Sequence, residues 1–358
     1  MTKKRMFAAL RLATALTAAS LAALDTAWAQ TPATVLHQPA RALPGDVRVT
    51  RAQDAVTIDW PSGTGERAQL VLSLDRSKPL IGAVSIAGKP VLGGIDPAGV
   101  VTVGTRDLKE GWTIFFDNPR QRPFESFPLT LARDDITVRA EGGYTRVIVG
   151  GAAAGPFSGT YQFTLYPGSR LVRAAMVMST QRPATAYTFD AGLSVASSAP
   201  LPWRAVAFTG LDDAVVRKAG EESRKPAVSP KVRARMIVAE GSAGGALGIL
   251  PPPHQFYYPL DYANNDNSAW YGSDYRNLTG RTGWASARRS RATGAGCPGS
   301  TPRRDRCKTW ASSCCPTAAT PPASPRLHWP IPATTASSGW PGTTLSPATI
   351  ISSTPKPF

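Results

Sequence analysis

The chain has 358 residues, 42% of them hydrophobic, with four cysteines and a formal charge of +16. That length and apolar content exclude a wholly disordered chain and allow one large or two ordinary domains with real cores. The charge imitates a nucleic-acid binder, but half of the excess lies after Trp284, where nine Lys or Arg face one acid, Asp305. The rest forms no stripe, so no nucleic-acid partner is expected.

Lys3 to Arg5 are basic, Met6 to Leu24 form an apolar run rich in Ala and Leu, and Ala27-Trp28-Ala29 is a small-x-small site. This is the pattern of a secretory signal peptide over residues 1–29, cleaved before Gln30. Arg11 leaves the uncharged run too short to span a bilayer. The expected product is periplasmic or secreted, without a stable membrane anchor after cleavage. Residues 30–46, rich in Pro and Ala, read as a linker.

From Val47 the apolar pattern has period two. Val47 and Val49, then Val56, Ile58 and Trp60, then Leu70, Leu72 and Leu74 alternate with polar residues, as half-buried strands do. Turn residues punctuate the runs at Gly88 to Pro90, Gly93-Gly94, Asp117 to Pro119, Gly142-Gly143 and Pro167-Gly168. Two hairpins are expected. One joins Leu129–Leu131 to Ile136–Arg139 across Arg133-Asp134-Asp135, and the other joins Tyr161–Leu165 to Leu171–Met178 across Tyr166 to Ser169. Further strands are expected at Ala186–Phe189, Ala205–Phe208, Arg233–Val238 and Ala246–Leu250, with a short helical turn at Leu211–Arg217. No long stretch after the signal carries a helical stripe. The fold class is therefore all-β, a large antiparallel β-sandwich over residues 47–284.

The motifs of common chemistry are missing. There is no H-E-x-x-H, G-x-S-x-G, Walker loop or dinucleotide fingerprint, so no catalytic residue, metal or cofactor is assigned. The densest polar and aromatic stretch is His254 to Gly283. Its residues His254, Tyr257, Tyr258, Asp261, Asn264, Asn265, Trp270 and Asp274, with Tyr271 and Tyr275 between and beside them, suit carbohydrate. Aromatic faces stack on sugar rings while carboxylates and amides bond the hydroxyls. The competing reading is an ordered loop whose aromatics plug one end of the sandwich.

The run GTYQFTLYPGSRLVRAAMVMST at 159–180, followed by TAYTFDAGL at 185–193, resembles strand pairs in the super-sandwich domains of galactose-mutarotase-like proteins. The resemblance implies a large antiparallel sandwich from Val47 to about Gly283. It also implies a setting in carbohydrate chemistry, where such domains often stand as non-catalytic modules beside a catalytic domain. Mutarotase activity in that family uses a pair of His residues with a carboxylate. Between the signal peptide and the tail this chain has only His37 and His254, so the activity is not carried over.

After Trp284 the composition changes to Arg, Ser, Thr, Pro and Cys, with twelve prolines and no Glu. Residues 285–358 therefore read as a disordered tail. All four cysteines (Cys297, Cys307, Cys314, Cys315) lie there, where they neither thread a fold nor match a zinc spacing. Such a tail rarely carries Trp310, Trp329 and Trp340, which points to translation out of frame. With one nucleotide restored upstream and TCN serine codons, positions 307–316 become Leu/Met/Val, Gln, Asn/Asp, Leu/Met/Val, Gly, three apolar residues, Leu, and Ser or Pro. A string such as MQNLGVFLLS is then nearly forced, and it is a good buried strand.

The sequence thus favours an exported non-catalytic sandwich, the N-terminal part of a larger carbohydrate-processing or metal-dependent hydrolase protein, cut by a frameshift. Two alternatives remain open. One is a complete sugar-active enzyme using His254, Tyr258 and Asp261; the other is a glycan-binding protein with a basic tail.

Overall fold

The computed structural model describes residues 34–63, 65–105, 123–251, 269–286 and 308–317, with Ser286 and the last ten as backbone. The signal segment, the turn at Asp117 to Pro119, Cys297 and Cys307 lie outside the described residues. The chain divides between Pro32 and Ala33, and every element below belongs to the second unit.

The first strand, β1 (Val35–His37), falls within the Pro- and Ala-rich leader. A meander follows, made of β2 (Arg48–Ala52), β3 (Ala55–Pro61), β4 (Arg67–Ser73), β5 (Ile81–Ile86) and β6 (Lys89–Leu92). Its cause is the alternation read in the sequence: Val56, Ile58 and Trp60 are buried while their neighbours are half-buried. Val56 pairs with Leu72, Ile58 with Leu70 and Trp60 with Ala68, which sets one apolar face.

Next come β7 (Asp96–Thr105), β8 (Phe124–Pro128), β9 (Thr130–Leu131), β10 (Asp135–Glu141) and β11 (Tyr144–Ala154). After them run β12 (Phe157–Leu165), β13 (Val172–Ser179), β14 (Thr185–Ala196), β15 (Trp203–Thr209) and β16 (Val215–Ala219). A 3-10 turn at Gly220–Arg224 leads to β17 (Ile237–Gly241), β18 (Ala246–Leu250), β19 (Ala269–Ser273), β20 (Arg281–Ser286) and β21 (Lys308–Thr317). Among the described residues no helix is long and apolar enough to cross a membrane.

The strands make three sheets. The largest has the order β1-β10-β11-β12-β13-β21-β18-β17-β15-β16, with β9 added beside β11. Another has the order β19-β20-β14-β7-β8, and the meander is the third. Apart from the parallel β1–β10 pair, the strand pairs are antiparallel. One apolar core joins all three sheets, drawing Ile58 and Leu72 from the meander, Val101 and Tyr187 from the β14 sheet, and Phe163 and Ile249 from the largest. The chain is an all-β, sandwich-like assembly of packed sheets.

The β12–β13 hairpin forms as the sequence predicts, with Leu165 opposite Val172 and Gly168 at φ 82 in the connection. The other predicted hairpin does not form. β9 and β10 both pair with β11, β10 along residues 144–149 and β9 at Ala152 and Ala153, so they lie end to end along one side of it. Two local features produce this: a register shift in β11 between Val149 and Ala152, and a left-handed Arg133 at φ 56. Residues 211–217 also depart from expectation. They form a turn closed by Gly210 and Ala214, then the half-exposed strand β16. The strand expected from Arg233 begins only at Ile237.

The tail enters the largest sheet. β21 pairs with β13 on one side (Met176 with Trp310, Ala174 with Ser312, Val172 with Cys314) and with β18 on the other (Ile249 with Cys314, Leu247 with Pro316). Ala285 and Ser286 complete β20.

Trp60 joins the meander to the largest sheet. It is fully buried, and its indole N–H donates to the Ser169 carbonyl at 2.8 Å in the β12–β13 turn. Trp60→Ala should cost about 3–5 kcal/mol of unfolding free energy in urea titration, while Trp60→Phe should cost clearly less by retaining much of the volume. Equal losses would mean that packing does not set the effect.

Candidate functional site

Of the sugar-suited residues, His254, Tyr257, Tyr258, Asp261, Asn264 and Asn265 lie outside the described residues. Trp270 and Asp274 are described, as are Tyr271 and Tyr275. Trp270 and Tyr271 stand on neighbouring positions of β19 and therefore face opposite sides. Tyr271 joins the main core, 6.2 Å from Phe208 between ring centres. Burial pushes its hydroxyl pKa up, and Glu222 adds to the rise.

Trp270 packs on the other side of the β14 sheet, in a second apolar cluster with Ala98, Val100, Tyr275, Leu278 and Ala285. Its ring is 2% exposed and lies on Tyr275 with centres 4.1 Å apart and planes 3° from parallel. Asp274 holds the following turn: its carboxylate accepts from the Gly280 N–H at 2.7 Å, and its own N–H donates to the Arg281 carbonyl at 2.9 Å. The segment 274–280 thus folds back as a cover over the sheet.

One buried charge fixes that cover. Asp190, in the middle of β14, has a side chain only 3% exposed and meets Arg276 at 3.0 Å. The Tyr275 hydroxyl lies 3.3 Å from the same carboxylate oxygen, and Arg276 also reaches the Thr102 hydroxyl at 3.4 Å. Asp190 holds the guanidinium above the ordinary arginine range. The Asn277 amide donates to the Ser126 carbonyl at 2.5 Å.

Beside the cover is a cavity of about 320 Å³, bordered by Leu80, Pro97, Leu129 and Leu278 and by polar residues Asp96, Arg133, Ser194 and Arg281. Arg281 donates to Asp96 at 2.9 Å and to the Ser194 hydroxyl at 3.1 Å, while the other Asp96 oxygen accepts from the Leu80 N–H at 2.7 Å. Arg133 is 7% exposed and donates to the carbonyls of Lys78, at 2.8 Å, and Arg76. Burial pushes its guanidinium below the ordinary range, opposed by the charges of Asp96 and Asp75. The cavity mixes apolar wall with hydrogen-bonding edges, the chemistry a small hydroxylated ligand needs, and lies at the small end of the roughly 300–1,000 Å³ span of ligand pockets.

Sequence reading missed this cavity because its polar residues come from positions as far apart as Asp96 and Arg281. Arg133 was read only as part of a turn, and no local spacing marks it. Among the described residues no group of three His, Cys, Asp or Glu is arranged to hold a metal.

Comparison with protein-family models and with curated proteins finds no match. Among solved structures, the fold aligns with a TPR-domain containing protein from Parabacteroides distasonis at 11% identity and a TM-score of 0.37. The alignment covers 78% of this chain and 50% of that one, so this chain spans about half the length of that structure.

Arg276→Leu leaves Asp190 buried without its cation and should cost about 3–5 kcal/mol of stability in urea titration. The double variant Asp190→Leu/Arg276→Leu should recover most of that loss. A double variant as unstable as the single would show that the pair is not what holds the cover.

Proposed function

We propose that residues 47–284 are a non-catalytic β-sandwich module of an exported protein that processes carbohydrate or carries a metal-dependent hydrolase domain. In this reading a one-nucleotide shift after Trp284 replaces the module's continuation with out-of-frame sequence. The carrying observation is the break itself: an abrupt change of composition at one residue, with a buried-strand pattern returning when the frame is restored.

The galactose-mutarotase-like pattern at 159–193 supports the carbohydrate setting, and the basic, apolar, small-x-small N-terminus supports export.

Determining the nucleotide sequence across the Trp284 codon tests the reading. The expected result is a G run one base short, with an open frame continuing past the Phe358 codon once that base is restored. An uninterrupted read identical to the present frame in independent isolates overturns it.

A glycan-binding protein is the second reading, favoured by the cavity beside Arg133 and Arg281. Titration with neutral and acidic monosaccharides, followed by amide NMR, should then shift signals from Asp96, Ser194 and Arg281. Thr279→Trp, which puts an indole at a residue bordering the cavity, should abolish the shifts without lowering the melting midpoint. Unchanged shifts would remove the cavity from consideration.

A further inference from the structure

The positions of β13 and β18 that flank β21 are not neutral. Val172, Ala174 and Met176 on β13 and Leu247 and Ile249 on β18 all belong to the main apolar core and are nearly or fully buried. In an antiparallel pair, directly opposed residues share a face. The register therefore assigns positions 310, 312, 314 and 316 to the core row of the intervening strand. The chain as read places Trp310, Ser312, Cys314 and Pro316 in that row, with Lys308 continuing it opposite Met178. Ser312 and Lys308 are poor occupants of a row bounded by Met, Ala, Val, Leu and Ile.

The restored frame changes this row in a specific way. Position 310 reads Leu, Met or Val, because Thr309 supplies the base before the TG of Trp310. Position 312 reads Phe, Leu, Ile or Val, and position 314 reads Leu, Met or Val, while 308 becomes Gln and 316 stays Ser or Pro. Position 311, on the opposite row across from Ala175, becomes an obligatory Gly. The apolar triplet at 310, 312 and 314 meets Met176, Ala174 and Val172 in one unbroken stripe.

We infer that the space between β13 and β18 is a strand-acceptor groove, and that its fitting occupant is an extended segment with apolar residues at alternate positions, as in MQNLGVFLLS. The inference rests on the frame reading for the identity of the occupant; the groove itself is defined by residues that precede Trp284. Recognition combines two components. Backbone N–H and C=O groups on the facing edges of β13 and β18 bond the inserted strand, and the apolar row selects its side chains. On the opposite row Arg173, 8% exposed, stands across from position 313 and favours an acid there over one at 312.

The test uses the full chain, unfolded in urea and refolded with synthetic MQNLGVFLLS flanked by lysines for solubility, so that the peptide competes before the chain's own segment seats. Saturable binding is expected, with a rise in the melting midpoint of roughly 2–4 °C for each kcal/mol gained. A scrambled peptide and a KTWASSCCPT peptide should leave the midpoint unchanged. Asp in place of the Val at the 312 position should weaken binding by about tenfold or more, whereas Asp in place of the Phe at the 313 position should be tolerated. No binding, equal binding by the scrambled peptide, or equal loss from the two Asp peptides overturns the groove. The nucleotide sequence at Trp284 reports on the frame independently, so the two ideas can fail separately.

Discussion

A strand inside a sheet must satisfy backbone donors and acceptors on both of its edges, and β13 and β18 meet that demand only through the strand that lies between them. Remove it and the largest sheet falls into two blocks, β1 to β13 and β15 to β18, each with an open edge beside the core. The side-chain demand is equally strict, because the same two strands send Met176, Ala174, Val172, Leu247 and Ile249 into the interior. Backbone pairing is indifferent to sequence, which is why KTWASSCCPT is able to occupy the place. The apolar row is not indifferent, and the register sets Lys308 opposite Met178 and Ser312 opposite Ala174.

A related constraint shapes the β14 sheet, which is buried on both faces. Its inner face joins the main core through Tyr187, Phe189 and Leu193, and its outer face is closed by Trp270, Tyr275 and Leu278. Strands buried on both sides lose the alternation that makes a half-exposed strand recognisable, and β7 and β14 are buried almost throughout. On the outer side Asp190 stands in the middle of β14. Arg276 and the Tyr275 hydroxyl answer that charge, so the aromatic stretch is fixed to the sheet by electrostatics as well as by apolar contact.

How much of this could be read from the sequence depended on burial. The meander was legible because one face of β3 and β4 is partly open, leaving Val56, Ile58, Trp60 and Leu70, Leu72 in clear alternation. The β12–β13 hairpin was legible from its Pro-Gly connection. The arrangement around Arg133 was not, since Arg-Asp-Asp reads as a tight turn whether or not the strands on either side pair with each other. What decides is a bulge in β11, the strand after β10, together with a guanidinium drawn to the carbonyls of Arg76 and Lys78. Aromatic richness at 270–275 was legible too, but the stacking of Trp270 on Tyr275 was not. Stacking on a ligand and stacking on a neighbouring tyrosine use the same side chains, and only geometry separates them. The cavity polar groups were invisible because no short window contains Asp96, Arg133 and Arg281 together.

The place of β21 in the sheet also sets an order of events during synthesis. Every strand it joins is made earlier, so β13 and β18 leave the ribosome well before the segment that links them. Until it arrives, two long edges flanked by apolar rows are held in waiting, a state that favours pairing between different chains. A fold closed by its last described strand is therefore exposed to concentration for as long as translation takes, and any change that delays or spoils that strand acts first on yield rather than on the finished molecule.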